Sequence, residues 1–155
     1  MSLLPIRPFD KLLDAPRVKE FFDQMGGESR AFFNRGGWNG NTAMEYFAPE
    51  NAERYKHHTF YMALDGERMA GYFFLWDLDK SVPWLGIAVA EDWKGRHLGR
   101  DLMACAETFA REHGKGGILL TTHTANLRGQ SLYERCGYER LGMHTGGEFL
   151  YLKRF

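Results

Sequence analysis

Hydrophobic and polar residues alternate along much of the second half of the chain, as in β-strands with one buried face. Two such runs, at 59–64 and 68–78, are joined by Asp65 and Gly66, a pair that tolerates the positive φ of a tight turn. These runs predict an antiparallel hairpin. A third run, at 84–90, predicts the next strand.

After this strand the spacing of apolar residues becomes helical. Leu98, Leu102, Cys105 and Phe109 predict a helix over 98–113 that ends near Gly114. A second strand and helix follow in the same order, and two further strands complete the chain. The predicted elements are a strand at 117–124, a helix at 125–136 with a left-handed cap at Gly137, and antiparallel strands at 138–143 and 149–154.

The N-terminal third predicts mainly helices. A short strand at 4–8 precedes helical stretches at 18–25 and 42–47, separated by a glycine- and asparagine-rich loop at 36–41. Together the elements predict an α/β (α+β) fold, in which a mixed, mostly antiparallel twisted sheet has a central parallel strand pair and flanking helices. A right-handed crossover brings the end of strand 84–90 and the start of helix 98–113 to one crevice.

Composition narrows the class of protein. The 155 residues are 44% hydrophobic, which predicts a single folded domain over 1–155. Because 20 Lys and Arg balance 20 Asp and Glu, neither nucleic acid nor a membrane surface is expected as a partner. We expect no signal peptide and no membrane span, and the two cysteines suit a reducing cytoplasm. No metal is predicted, because the histidines lack the spacing of metal ligands.

One loop has the composition of a phosphate-binding site. Residues 94–100 (KGRHLGR) lie between a predicted buried strand and a helix start, where unpaired backbone N–H groups and the positive helix end converge. Arg96 and Arg100 add positive charge, which suits a diphosphate better than a single carboxylate. For this loop taken alone, a surface turn with solvated basic side chains is the alternative.

The residues around this loop form an ordered set. It comprises 86–89 (GIAV) on a strand, 94–99 (KGRHLG), Asn126, and 133–138 (YERCGY). The set resembles the GNAT superfamily of acyl-CoA N-acyltransferases over roughly residues 57–155. Two positions depart from the family pattern, since Lys94 stands where Arg or Gln is usual and His97 replaces a glycine. We expect the His97 side chain to point outward.

The resemblance implies that acetyl-CoA is the cosubstrate and that residues 57–155 form the acyl-CoA-binding core. Acetyl-CoA would lie in a gap between strands 84–90 and 117–124, because the amides of its pantetheine arm need a free strand edge. Asn126 could instead, or in addition, cap the second helix. The residues expected to bind acetyl-CoA are Ile87, Ala88, Val89, Gly95, Arg96, His97, Leu98, Gly99, Arg100 and Asn126.

The resemblance also implies direct attack of a neutral primary amine on the thioester carbonyl. A backbone N–H near Val89 would polarise the carbonyl, and Tyr133 would protonate or hydrogen-bond the departing sulfur. A core aromatic is the alternative interpretation of Tyr133. The base is open, because Thr121 stands where some family members carry Glu. His123 is the candidate, on the same strand face as Thr121, although it could equally be a structural histidine. Weaker candidates are Glu45 and His58, and a dedicated base could be absent.

The leading hypothesis is therefore N-acetyl transfer to a primary amine of a small molecule or peptide. The alternative is a non-catalytic acyl-CoA-binding sensor or regulatory module on the same scaffold. A dinucleotide-binding domain is disfavoured, because the loop is not Gly-x-Gly-x-x-Gly and the sheet contains hairpins. The last strand would form an open edge that permits a homodimer. The acceptor is expected at the helices of 1–56 and the hairpin, with aromatic walls and polar groups from Phe32, Phe33, Trp38, Asn39, Asn41, Tyr46 and Phe47.

Overall fold

Seven strands form one mixed sheet with helices packed on both faces. The computed structural model describes residues 4–10, 13–27 and 40–155, apart from the side chains of residues 42 and 43. Its strands are β1 (Ile6–Pro8), β2 (Thr59–Asp65), β3 (Arg68–Trp76), β4 (Trp84–Val89), β5 (Gly117–Thr122), β6 (Glu139–Met143) and β7 (Phe149–Arg154). Its described helices are α1 (Ala15–Asp23), α2 (Gly40–Tyr46), α3 (Leu98–Glu112) and α4 (Leu127–Arg135), with 3₁₀ turns at Pro49–Asn51 and Glu91–Trp93.

The strand order is β1-β2-β3-β4-β5-β7-β6, and only β4 and β5 run parallel. This arrangement confirms the predicted fold class. The prediction that the last strand is an edge is wrong, because β7 lies between β5 and β6 and pairs with both. The edge strand at this end of the sheet is β6, which exposes Leu141 and Met143. A homodimer therefore stays a prediction, and β6 would form its edge.

Alternation along β3 separates two cores. Phe73 and Leu75 pack with Leu98 and Leu102 of α3 on one face of the sheet, while Tyr72 packs with α1 on the other. We call these the α3 face and the α1 face. No helix in the described ranges is long and apolar enough to cross a membrane.

Asp14 anchors the N-terminal segment at the start of α1. Its side chain is fully buried and accepts hydrogen bonds from Arg7 Nη2 at 2.8 Å and from Arg17 Nη1 at 2.7 Å. The Asp10 backbone N–H also donates to it, at 2.7 Å. These hydrogen bonds, with that from Arg7 the largest, lower the pKa of Asp14 to about 2 although burial opposes them.

We expect Asp14→Asn to lower the free energy of unfolding by about 2–3 kcal/mol at pH 7. Because the folded pKa of Asp14 lies below the unfolded one, its contribution is complete above about pH 5 and is lost as pH falls towards 2. Urea unfolding should therefore show a smaller difference between variant and wild type at about pH 3 than at pH 7. Asp79→Asn, at an exposed carboxylate, is the control and should change stability by less than about 0.5 kcal/mol. A difference for Asp14→Asn that does not vary with pH would contradict this account.

Candidate active site

The parallel strands β4 and β5 meet only where they begin. Trp84 is opposite Leu119, and the Leu119 N–H donates to the Pro83 carbonyl at 2.9 Å. No later pair follows within these two fully described strands. The strands therefore diverge towards their carboxyl ends at Val89 and Thr122, and they leave the gap that the resemblance implied.

The backbone of β4 directs hydrogen-bonding groups into this gap. The Ala90 N–H donates to the Ala70 carbonyl at 2.8 Å, which lies on the β3 side. Because alternate residues of an antiparallel strand direct their N–H and C=O groups to opposite sides, those of Ala88 also face β3. The backbone groups of Ile87 and Val89 face the gap instead. Of the three strand residues expected to bind the cosubstrate, these two offer backbone partners.

A cavity of about 450 Å³ occupies the gap. Strand β4, the loop after it, β5 and α4 form its walls. Ten of the twelve predicted site residues line it, whereas Arg96 and His123 do not. Those ten are Ile87, Ala88, Val89, Gly95, His97, Leu98, Gly99, Arg100, Asn126 and Tyr133.

Two residues of the loop have left-handed backbone angles. Gly95 has φ +76°, and His97, which precedes the first residue of α3, has φ +68°. Glycine adopts this conformation readily, but a residue with a Cβ does so at a cost of roughly 1–2 kcal/mol. His97 is exposed and is also among the residues that line the cavity, so the outward orientation of its side chain stays a prediction. The chain thus keeps the backbone shape of a glycine although it carries a histidine.

We expect His97→Gly to raise the free energy of unfolding by about 1 kcal/mol, because it removes this backbone strain. Urea unfolding would measure the change. The matched control is Arg96→Gly, since Arg96 is not among the residues with positive φ. That variant should lower stability, because it only adds freedom to the unfolded chain. Destabilisation by both substitutions would contradict the strain at position 97.

Arg96 does not reach the cavity. Its guanidinium lies over the Trp93 ring, 3.8 Å from the centroid, and donates to the Asp92 carbonyl at 3.3 Å. These contacts hold the Arg96 side chain away from the cavity, because a cation is stabilised over the face of an indole ring. Arg96 can still contribute its backbone, but the structure does not place its charge among the cavity walls.

Two arginines of α4 bring charge that the sequence interpretation missed. Arg128 and Arg135 line the cavity, and Arg128 Nη1 lies 3.9 Å from the position that a Cβ on Gly95 would occupy. With Lys94 and Arg100 they make four basic residues, and no carboxylate is among the described residues that line the cavity. The available signal was the spacing of 128, 132 and 135, which places three residues on one helix face.

Asn126 both caps α4 and lies in the cavity wall. Its Oδ1 accepts from the Gly129 N–H at 3.1 Å, and its Nδ2 donates to Thr122 Oγ1 at 3.1 Å. The first bond is the N-cap that the sequence favoured as an alternative. The second ties the start of α4 to the end of β5, so this side chain sets where the helix meets the gap.

Tyr133 lies at the inner side of the cavity. Its side chain is 7% exposed, and its ring packs against Tyr138 and Tyr151 at centroid distances of 6.4 and 5.8 Å. Burial, and secondarily the charge of Glu148, raise the pKa of Tyr133 well above its ordinary value. The phenol therefore keeps its proton at neutral pH and can act as a hydrogen-bond donor. It is also a core aromatic, so both interpretations of the residue describe the same side chain.

The candidate base His123 lies beyond the end of β5 and is not among the cavity-lining residues. Its Nδ1 accepts from the Ala125 N–H at 3.0 Å. In a neutral ring the proton is then on Nε2, so taking up a second proton would break the bond to Ala125. This arrangement speaks against His123 as the base. Thr121, in contrast, lines the cavity.

The weaker candidates lie elsewhere. His58 Nδ1 is 2.5 Å from the Tyr46 hydroxyl, and its ring stacks on Trp76 at 4.8 Å. Burial lowers the pKa of His58. Glu45 is exposed on α2. Neither residue is among those that line the cavity.

Part of the predicted acceptor region lies outside the described residues, namely Phe32, Phe33, Trp38 and Asn39. Of the rest, Asn41 is exposed, Tyr46 packs on Tyr55 at 4.2 Å, and Phe47 stacks on Phe9 at 4.1 Å. Within the described ranges, no three metal-ligating side chains come together.

A sequence model of the acetyltransferase (GNAT) family matches residues 23–138. The chain belongs to this family. The match includes the gap between β4 and β5, the loop at 94–100 and Tyr133. No curated protein matches the chain.

Solved structures share the fold of this GNAT protein over nearly its whole length. A domain from Methanocaldococcus jannaschii is 15% identical with a TM-score of 0.81 and 100% coverage of both chains. The N-acetyltransferase PaiA from Thermoplasma acidophilum, in complex with coenzyme A, is 18% identical, with a TM-score of 0.77 and 100% coverage of both chains. The aminoglycoside acetyltransferase AAC(6')-Ib, also in complex with coenzyme A, is 18% identical with a TM-score of 0.76, covering 97% of this chain and 94% of its own. At these identities the likeness concerns the fold.

Proposed function

We propose that this GNAT protein transfers an acetyl group from acetyl-CoA to a primary amine of a small molecule or peptide by direct attack. The observation that carries the proposal is the gap between β4 and β5. Its walls combine a strand edge, the loop at 94–100 and a buried tyrosine, Tyr133. The coenzyme A complexes of the two acetyltransferases with the same fold support this assignment.

The cavity walls fit acetyl-CoA in two respects. The unpaired N–H and C=O groups of Ile87 and Val89 suit an arm that carries amides, because such an arm can replace a neighbouring strand. Four basic residues line the cavity, and no carboxylate is among its described lining residues. This excess of positive charge suits a molecule that carries several phosphate charges. Lys94, Arg100, Arg128 and Arg135 are these basic residues.

When bound, acetyl-CoA supplies an acetyl thioester that an amine can attack. The Val89 N–H, which faces the gap, would donate to the carbonyl oxygen as negative charge develops on it. The Tyr133 hydroxyl would donate a hydrogen bond to the departing sulfur. A thiol has a pKa near 8.5, below that of a buried phenol, so Tyr133 stabilises the thiolate without giving up its proton. Tyr133 is thus a donor to the leaving group and solvent supplies the final proton.

Thiol release from acetyl-CoA across a panel of primary amines tests the proposal. We expect release that depends on the amine, with the acetylated amine detected by mass spectrometry. Calorimetric titration with acetyl-CoA should be run in parallel. Binding without turnover on any amine would favour the non-catalytic sensor, and no binding at all would overturn both functions.

A further inference from the structure

The turn between β6 and β7 has a tight and well-defined geometry. The His144 N–H donates to the Glu148 carbonyl at 2.7 Å, and the Gly147 N–H donates to the His144 carbonyl at 2.9 Å. Gly147 has φ +80°, as a glycine that closes a short hairpin often does. These two hydrogen bonds close the turn, and Glu148 lies directly before β7.

This turn bends back over the α1 face of the gap. Trp84 is opposite Trp76 in the β3–β4 pair, and the alternation of β3 puts both side chains on the α1 face. The ring of His144 meets Trp84 edge-on at 5.7 Å. Since Trp84 lies where β4 begins, whereas the turn follows the far end of β5, the contact requires the turn to curl over the sheet.

Glu148 stands where the gap is widest. The residue after it, Phe149, is opposite Thr122, and Thr122 lines the cavity. Burial raises the pKa of Tyr133, and the charge of Glu148 adds to that effect. The register thus puts the Glu148 backbone beside the end of the cavity that Thr122 lines, although Glu148 is not among the lining residues.

Aromatic side chains lie on the α1 face of β3 and β4, next to the β4 wall of the cavity. A Cβ built on Gly86 would lie 2.0 Å from Phe74 Cζ, so the Phe74 ring covers the backbone of a residue that lines the cavity. Trp76 stacks on Phe74 at 4.7 Å, and Trp84 is opposite Trp76 on β4. These three aromatic residues are not themselves among those that line the cavity. Only glycine at position 86 lets the Phe74 ring reach this place.

We propose that Glu148 binds the acceptor nitrogen and receives its proton, and that Phe74 and Trp84 select an amine with one positive charge on a flat apolar body. This inference rests on the proposed acetyl transfer and names its acceptor class. One carboxylate matches one ammonium group, and flat rings pack well on the faces and edges of aromatic side chains.

The ammonium loses one proton to solvent through Glu148 and becomes a nucleophile. Its nitrogen forms a bond to the acetyl carbonyl carbon, and the C–S bond breaks with its electron pair on sulfur. The second nitrogen proton passes to Glu148 and then to water, while the thiolate takes up a proton from solvent.

The test compares amines and variants in the thiol-release assay. For the wild type we expect kcat/KM to be at least about 10-fold higher with 2-phenylethylamine than with n-propylamine, which lacks the ring, or spermidine, which carries more charge. Trp84→Ala should bring 2-phenylethylamine close to n-propylamine. A preference for spermidine, or no effect of Trp84→Ala, would overturn the acceptor class.

Glu148→Gln should lower kcat/KM for 2-phenylethylamine by about 10²- to 10³-fold and leave acetyl-CoA binding unchanged by calorimetry. Glu148→Asp should recover part of the loss, and it also tests the site if the first variant does not fold. Glu139→Gln, at an exposed carboxylate of the same hairpin, is the matched control. Wild-type rates in Glu148→Gln and Glu148→Asp would overturn the role of Glu148. Failure of the acetyl-transfer proposal looks different, because no amine would then release thiol.

Discussion

Tyr133→Phe should slow acetyl transfer by about 10²- to 10⁴-fold while the affinity for acetyl-CoA stays within about threefold of wild type. The substitution removes only the hydroxyl and keeps the ring that packs on Tyr138 and Tyr151. Thiol release at saturating acetyl-CoA measures the rate, and calorimetry measures the affinity. Because the pKa of Tyr133 is raised, the loss should be the same from about pH 6 to 9.

Tyr138→Phe is the matched control. The Tyr138 hydroxyl is buried, has no hydrogen-bond partner among the residues that the structure describes, and does not line the cavity. Its removal should leave the rate within about threefold of wild type and should not lower stability, since a buried unpaired hydroxyl contributes nothing favourable. Equal losses of rate in the two variants would mean that packing, rather than the Tyr133 donor, limits the reaction.

Arg100→Glu combined with Arg128→Glu should weaken coenzyme A binding by about 100-fold or more at low salt, because two charge-assisted contacts to phosphate become repulsive. Both side chains line the cavity. Calorimetric titration at two salt concentrations measures the effect, which should shrink as salt rises. Acetyl-pantetheine lacks the nucleotide phosphates, so its reaction should be affected much less.

Arg96→Glu provides the control for position and charge. Arg96 is in the same loop but lies over Trp93, away from the cavity walls. We expect this variant to weaken coenzyme A binding by no more than about threefold, through screened long-range repulsion alone. An effect as large as that of the double variant would mean that the Arg96 side chain leaves Trp93 to reach the phosphates.

The part of the site that lies on one continuous stretch could be predicted from sequence. The strand residues Ile87 and Val89 and the loop glycines Gly95 and Gly99 are neighbours in the chain, so a local pattern was enough to bring them together. Asn126 and Tyr133 followed from the resemblance to the GNAT superfamily, whose spacing after the loop they match. All six line the cavity.

Side-chain direction was harder to predict than position. Arg96 is in the predicted loop, yet its guanidinium lies on Trp93. The strand was expected to run to 124, but β5 ends at Thr122 and Asn126 caps the next helix, so alternation could no longer place His123. The energies that decide such choices come from contacts with residues outside the local pattern.

The spacing of hydrophobic residues and the turn-forming pairs were sufficient to predict the strands, the helices and the mixed sheet. These features depend on residues that are only a few positions apart in the chain. The placement of β7 between β5 and β6 required the tertiary structure, as did Arg128 of α4 near Gly95 and the position of the turn before β7 beside Thr122. Each of these joins segments that are distant along the chain. Strand pairing and helix packing create them, and no local pattern encodes which distant partner a segment meets.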